Sequence, residues 1–335
     1  MKRKFLNLAI VVLAVCSSQV LAQTRARNNT PARTGLLASL PQSDAVAQVK
    51  MRLLLSEAMP QILASNPAKL AEVNASIDAF KTRTGIDPRM FEQIAVGVRY
   101  LFPAEGVTKA QTVALANGEF NPAAMVAAGR VASNGAYREE KYQGKTIYIF
   151  KLDQSIRLFG MFSFRIDELA AAPLDTTVLA LGDVAGVHAA IDAARSRTRA
   201  NAELIALASR DPNALIGFGS NVTEQLIRNL DIGNAPIATD LSKLRQVYGS
   251  VGSTERDLEL FLAARAVSAE AAKNLGDTIE GLKQFGALFV MRMSGAKGVL
   301  AKSALANMKI VTAANELQIR TAVPQADVGP MLGGN

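Results

Sequence analysis

The feature that most restricts the fold of this chain is a repeated order of short alternating segments and helical stretches. Apolar residues alternate with polar or small ones in two series of segments, residues 44–50, 94–102, 112–117, 137–142 and 146–151, then 214–219, 246–251, 257–266, 309–313 and 317–322. Alternation with period two is typical of half-buried strands. Each series also holds helical stretches, so both are predicted to run strand, helix, strand, strand, helix, strand, strand.

The helices are marked by capping residues and by apolar residues three or four positions apart. Asn66 and Pro67 begin a helix with Leu70, Val73 and Ile77 on one face. Similar patterns begin at Asp87, Asn121 and Asp183. Helices are also predicted over residues 52–64, 222–230 and 272–289. Gly85 is expected to end the helix that Asn66 caps.

These patterns predict an α+β fold of two related halves, with mainly antiparallel sheets and helices packed on one face. Gln143-Gly144 is a suitable turn between two predicted strands, as a hairpin requires. The irregular spacing of helices and strands is unlike a doubly wound parallel sheet. Because residue identity between the halves is low, internal duplication is a hypothesis that rests on element order.

The N-terminus has the pattern of a cleavable signal peptide over residues 1–22. Lys2, Arg3 and Lys4 precede an apolar run at residues 8–15, and Val20 and Ala22 are small residues at the cleavage positions. The predicted location is therefore the periplasm or the extracellular space. Lipidation at Cys16 and retention of the segment as an anchor are the alternatives.

The segments that follow are predicted to be a disordered tail and two folded halves. Residues 23–36 are rich in Gln, Thr, Asn and Arg and form the tail. Residues 37–195 form the first half and residues 202–332 the second, joined by a solvated connector. Cys16 is the chain's only cysteine, so the exported part is disulfide-free and depends on its hydrophobic core.

Charge and hydropathy exclude two classes of function. The formal charge is +8, which falls to +5 without residues 1–22 and to +2 without the tail arginines. A nucleic-acid-binding protein is expected to show a clustered basic face with stacking aromatic residues, which is not evident. After signal cleavage no apolar run reaches the roughly 20 residues that span a bilayer.

His188 is the only histidine, so the usual zinc sites cannot be built from His and Cys ligands. A Ser-His-Asp triad would have to use it, but the sequence contains no Gly-x-Ser-x-Gly motif to supply the serine. His188 is therefore interpreted as a boundary residue of its helix. No catalytic, cofactor-binding or metal residue is assigned, and no cofactor is expected.

Two segments resemble phosphate-binding loops and are rejected. Residues 296–303 end in Lys302-Ser303 like a Walker A loop, but alanines replace both of its glycines. Residues 216–222 contain Gly217 and Gly219 of a dinucleotide fingerprint, whereas Val222 replaces the third glycine.

Paired carboxylates are the remaining enzymatic candidates. Glu139 and Glu140 are adjacent on a predicted strand, so their side chains should point to opposite faces. Asp167-Glu168 and the pair Asp257 and Glu259 are better spaced, and the latter two share a strand face. The chain has no Trp and five Tyr, which disfavours a glycosidase cleft lined with aromatic residues.

Three short segments, residues 40–46 (LPQSDAV), 84–88 (TGIDP) and 323–328 (VPQADV), resemble exported bacterial α+β proteins of uncharacterised function. The resemblance implies export and an α+β fold. It implies no activity, ligand or functional residue.

The sequence therefore favours a non-catalytic interaction or scaffold module of the periplasm or cell surface, and not an enzyme. Its partner is predicted to be an unknown protein or an apolar small ligand, with no nucleic acid and no membrane span. The first alternative is a carrier of lipid or peptide, with a cavity under helices 123–132 and 184–194. The second is an enzyme with an unrecognised carboxylate or serine site.

Overall fold

The computed structural model describes residues 35–84, 87–158, 162–196, 199–229 and 235–333. These residues form two compact units. Of the described residues, the N-terminal unit comprises 35–99 and 111–205, and the C-terminal unit comprises 100–110 and 206–333. The predicted signal peptide, residues 1–22, and residues 23–34 of the predicted tail, 23–36, lie outside the described residues. Leu36, which was predicted to belong to the tail, is buried, as is Leu37.

The N-terminal unit is built on antiparallel strands. They are β1 (Ala45–Val49), β2 (Phe91–Ala104), β3 (Val107–Gly118), β4 (Tyr137–Tyr142), β5 (Lys145–Leu158), β6 (Phe162–Pro173) and β7 (Val178–Gly182). Their order is β1-β2-β3-β7-β6-β5-β4. The pairs β1/β2, β3/β7, β7/β6, β6/β5 and β5/β4 are antiparallel.

The helices of this unit are α1 (Met51–Leu53), α2 (Met59–Ile62), α3 (Pro67–Thr84), α4 (Pro122–Ala132), α5 (Val184–Arg195) and the start of α6 (Ala202–Ala208). A π-helical turn, Leu54–Ala58, separates α1 from α2. Pro60 has no N–H to donate to the carbonyl of Ser56, which explains why the predicted continuous helix widens there.

In the N-terminal unit the helices contact both faces of the strands, which differs from the expectation of a single face. Glu139 and Glu140 are neighbours on β4, so their side chains point to opposite faces. Glu139 pairs with Arg130 of α4 at 3.4 Å, whereas Glu140 contacts His188 of α5 at 2.7 Å. Both faces of β5 are consequently buried, at Ile149 on one side and Phe150 on the other.

The C-terminal unit has the strands β8 (Ile216–Asn221), β9 (Leu244–Ser253), β10 (Asp257–Ala266), β11 (Lys309–Ala313) and β12 (Glu316–Pro324). Their order is β8-β9-β10-β12-β11, with antiparallel neighbours. Its helices are α7 (Glu224–Arg228), α8 (Ala235–Ser242), α9 (Ala269–Arg292), α10 (Gly295–Ala306) and α11 (Gln325–Gly333).

The predicted α+β class and antiparallel pairing are confirmed. Gln143 and Gly144 have φ of 48° and 76°, the two positive values of the type I′ hairpin turn that their sequence indicated. The side chain of Asp183 accepts a hydrogen bond from the N–H of Gly186 and caps α5. The helix predicted over 222–230 begins later, because Val222 donates its N–H to Arg245 in the neighbouring strand and Thr223 is the cap.

Comparison of the two strand orders bears on the duplication hypothesis. If β6 and β7 are left out as an inserted hairpin, the N-terminal order is β1-β2-β3-β5-β4. This is the same arrangement as the C-terminal order β8-β9-β10-β12-β11. This agreement is topological, and a superposition of the two sets of strands is the test. None of the described helices is long and apolar enough to cross a membrane.

Candidate interaction surface

Helix α9 changes from buried to exposed along its length. Ser268 caps it by accepting a hydrogen bond from the N–H of Ala271 at 3.1 Å. The buried residues of the helix are Ala271, Ala272, Leu275 and Gly276, all in its first two turns. They pack in a core cluster with Leu244, Ala264 and Leu317 of the sheet. The N-terminal end of α9 is therefore anchored.

Gly276 is a point of close approach between α9 and the sheet. A Cβ at this position would lie 2.6 Å from Oγ1 of Thr312 on β11. By contrast, a Cβ at Gly281 or Gly286 would meet nothing within 4 Å. Ile279, further along the helix, still packs against the core cluster. Packing on the sheet therefore loosens in the C-terminal half of α9, where most side chains are exposed.

Large apolar side chains are exposed on this projecting half. They are 48% to 64% exposed, namely Leu282, Phe285, Leu288, Phe289 and Met291. At 100° per residue, Leu282, Phe285, Leu288 and Phe289 lie within about 120° of arc. The rings of Phe285 and Phe289, one turn apart, have centroids 6.1 Å from each other. Together these residues form an apolar stripe with no core against it.

The stripe continues onto the start of α10. Met293 and Val299 are 40% and 51% exposed. A Cβ at Gly298 would lie 2.5 Å from the carbonyl oxygen of Met293, so only glycine lets the first turn of α10 pack against the end of α9. We define the apolar surface as seven residues, Leu282, Phe285, Leu288, Phe289, Met291, Met293 and Val299.

The segment that carries the apolar surface contains cations and no acidic residues. Between Glu280 and Glu316 the sequence contains five cations and no carboxylate. Lys283 pairs with Glu280 at 3.5 Å. The other four form no ion pair with any residue in the described part of the chain, and we call them the cationic rim: Arg292, Lys297, Lys302 and Lys309.

His188 lies in a side-chain cluster that joins α5 to the β4–β5 hairpin. Its Nε2 is 2.7 Å from Glu140, and its ring stacks on Tyr142 with centroids 4.0 Å apart. Tyr142 donates its hydroxyl hydrogen to Asp192 at 2.8 Å. This hydrogen bond, with burial and the charges of Asp192 and Glu140, raises the pKa of Tyr142. The cluster holds the hairpin against the helix, so His188 is the boundary residue that its position indicated.

The other carboxylate candidates lie in different parts of the fold, Glu168 on β6 and the pair Asp257 and Glu259 on β10. Glu168 pairs with Arg138 at 3.1 Å, and the side chain of Asp167 lies outside the described part. Asp257 and Glu259 both lie on β10. Burial raises the pKa of Glu259, and the nearby charges of Asp211 and Asp257 add to the effect.

The segments that resemble phosphate loops have other structural roles. Residues 296–303 lie within α10, where the backbone N–H groups bond along the helix. Residues 216–221 form β8 of an antiparallel sheet. A Cβ on Gly217 would lie 2.0 Å from the carbonyl oxygen of Ala208, so this glycine permits close packing of α6.

The opposite face of the C-terminal sheet carries a polar cluster that the sequence analysis missed. Tyr248 is fully buried, and Arg210 donates a hydrogen bond to its hydroxyl. Burial, a hydrogen bond with Glu316 and the Glu316 charge raise the pKa of Tyr248 to about 12. Arg265 donates to Glu316 at 3.1 Å. The sequence pattern that could have indicated this cluster is the alternation of polar residues along β9, β10 and β12.

Glu316 is ionised more readily than an ordinary glutamate in this cluster. Burial opposes its ionisation, but hydrogen bonds from Tyr248, Gln318 and Arg265 and the charge of Arg210 prevail and lower its pKa. The cations of this cluster are therefore matched by a carboxylate, whereas those of the cationic rim are not.

One cleft of about 160 Å³ lies in the N-terminal unit, beside α5. Its lining includes Ser43, Arg99, Gln111 and Asp192, and no residue of α4. The cavity predicted under both helices is thus not formed at this cleft.

Comparisons with known proteins give a resemblance at the level of chain course. No protein-family model and no curated protein matches the sequence. Among solved structures, crystal forms III and I of TP0453 each match with a TM-score of 0.44 and 8% identity. Each alignment covers 89% of this chain, with 95% of the form III chain and 97% of the form I chain.

Proposed function

We propose that this protein is an exported, non-catalytic interaction module that binds its partner through the apolar surface of α9 and α10. The observation that carries the proposal is the exposure of seven large apolar side chains on the C-terminal half of α9 and the start of α10. The proposal of export rests on the signal-peptide pattern of residues 1–22.

The physical reason is the cost of leaving such a surface in water. Contiguous exposed apolar patches are uncommon on monomeric proteins and mark sites of contact with proteins, membranes or ligands. Burial of one Phe or Leu side chain stabilises a complex by about 1.5–3 kcal/mol. Phe285 and Phe289 are the largest of these side chains and are expected to contribute most.

The alternative of an apolar-ligand carrier receives less support. Pockets that hold drug-sized ligands enclose about 300–1,000 Å³, whereas the cleft beside α5 has a volume of about 160 Å³. Arg99 and Asp192 in its lining are charged, which suits a small polar molecule better than a lipid chain.

The proposal is tested by asking whether the apolar surface is covered in the cell envelope. A single cysteine is placed at Phe289 or at Val131, in a Cys16→Ser background that is otherwise free of cysteine. Val131 is 79% exposed on α4 and is the control. Both positions should react with a polar maleimide in the purified protein, and only position 289 should be protected in intact envelopes. Equal reaction of both positions in the envelope would contradict the proposal.

A further inference from the structure

We propose that the apolar surface and the cationic rim together bind an anionic lipid membrane surface. This inference rests on the proposed function and names the partner. The apolar side chains would enter the boundary between headgroups and acyl chains, while Arg292, Lys297 and Lys302 would contact lipid phosphates. An interfacial amphipathic helix combines these two elements, an apolar face with Phe or Leu and flanking Lys or Arg.

Charge complementarity argues for an anionic partner. The cationic rim holds four cations with no ion pair among the described residues, on a segment without any carboxylate from residue 281 to 315. In the other cluster of the C-terminal unit, Arg210 and Arg265 already have Glu316 within 3.6 and 3.1 Å. Unmatched cations beside an apolar stripe attract a surface that is both apolar and negatively charged.

A second copy of this chain fits the surface poorly. In a two-fold symmetric dimer the same patch meets itself, which would place Arg292, Lys297 and Lys302 of both copies in one interface. Like charges in direct opposition are destabilising. Burial of the apolar stripe would therefore be offset by repulsion in the rim.

The N-terminal segment of the same chain is excluded as the occupant for the same reason. Residues 23–34 carry Arg25, Arg27 and Arg33, and the first acidic residue in the sequence is Asp44. A cationic segment cannot neutralise a cationic rim.

The shape of the surface favours a lipid over an acidic protein. Phe285, Phe289 and Met291 lie on the C-terminal half of α9, and each is more than 60% exposed, as projecting side chains are. A protein partner would need a preformed groove to receive them. A bilayer receives projecting side chains without one, because its acyl chains rearrange around them.

The test is flotation of the purified protein with vesicles of phosphatidylcholine alone or with about one third phosphatidylglycerol. Binding should be at least tenfold stronger to the anionic vesicles and should weaken as salt is added, because salt screens surface charges. Each rim cation that is removed should lower the partition coefficient about fivefold.

Two double variants separate the contributions of apolar and charged residues. Phe285→Ser with Phe289→Ser should abolish flotation, and Lys297→Gln with Lys302→Gln should reduce it about 25-fold on anionic vesicles only. The matched controls are Val131→Ser and the pair Lys109→Gln with Lys273→Gln, which lie elsewhere on exposed positions. The controls should float like the unmodified protein.

The outcomes distinguish this inference from the proposed function. Absence of flotation with anionic vesicles, or equal flotation with both kinds of vesicle, overturns the membrane assignment. If position 289 is nevertheless protected in the envelope, the interaction module stands and its partner is an acidic protein. If position 289 is also unprotected there, both proposals fail.

Discussion

The two ends of α9 have similar apolar residues at helical spacing and opposite surroundings. Leu275, near its start, is 3% exposed, whereas Phe289, near its end, is 63% exposed. The first end packs against the sheet, whereas the large apolar side chains of the second end are exposed. The comparison teaches that helical periodicity identifies an apolar stripe but not whether the folded chain itself covers that stripe.

The largest expected difference between the two ends is in the effect of truncation on stability. Leu275→Ala should lower the free energy of unfolding by about 2–5 kcal/mol, because it removes buried atoms and leaves a cavity. Phe289→Ala should change it by less than about 0.5 kcal/mol, as exposed positions usually do. Urea unfolding of both variants measures the difference. Similar losses would mean that the second end is also packed in solution.

The charges of the C-terminal unit provide the next test. Glu316→Gln should lower stability near neutral pH, because it leaves Arg210 and Arg265 without their carboxylate. The same loss should be absent from Lys297→Gln with Lys302→Gln, since these lysines have no ion pair among the described residues. Thermal unfolding of both variants at pH 7 tests this contrast, and equal destabilisation would refute it.

The pH dependence of stability should follow the lowered pKa of Glu316. The folded pKa lies below the ordinary value of 4.5, so the charge stabilises the fold fully above that value. The contribution is lost as the pH falls through the folded pKa. Stability measured between pH 6 and pH 3 should therefore fall less steeply in Glu316→Gln than in the unmodified protein. Parallel curves would show that other carboxylates account for the acid sensitivity.

The smallest effects concern two glycines of the same helix. Gly286→Ala should stabilise the protein by about 0.5–1 kcal/mol, since alanine is the better helix former and meets no neighbour. At Gly276 the same gain in helix propensity is opposed by a steric cost, because the added methyl group would crowd Thr312. Overpacking of this kind typically costs about 1–3 kcal/mol. Chemical unfolding should place Gly276→Ala below Gly286→Ala. The reverse order would show that α9 does not pack closely on β11.

Local patterns predicted much of the fold. The turn at Gln143-Gly144 and the cap at Asp183 depend on neighbouring residues, and the structure has both of them. The short helices α6, α8 and α11 were not predicted, because helices of this length depend on packing for their formation. The end of β2 at Ala104 and the start of β3 at Val107 were also not predicted. The residues near this turn are mostly exposed and do not alternate clearly between apolar and polar.

The candidate surface itself was only partly visible in the sequence. The apolar spacing that includes Leu275, Leu282 and Phe289 predicted a long helix with an inward face. The cations from Lys283 to Lys309 are also visible in the sequence, but in the total charge they are offset by carboxylates elsewhere in the chain. Only the folded structure shows that Leu282 and Phe289 are exposed, whereas Leu275 is covered by the sheet.

The most direct test of membrane binding by the apolar surface measures both stability and vesicle binding of one double variant, Phe285→Ser together with Phe289→Ser. Its unfolding free energy should lie within about 1 kcal/mol of that of the unmodified protein, and its flotation on anionic vesicles should be lost. Unchanged flotation would contradict the assignment of the apolar surface as the binding site. A large loss of stability would contradict the claim that this end of α9 has no core against it.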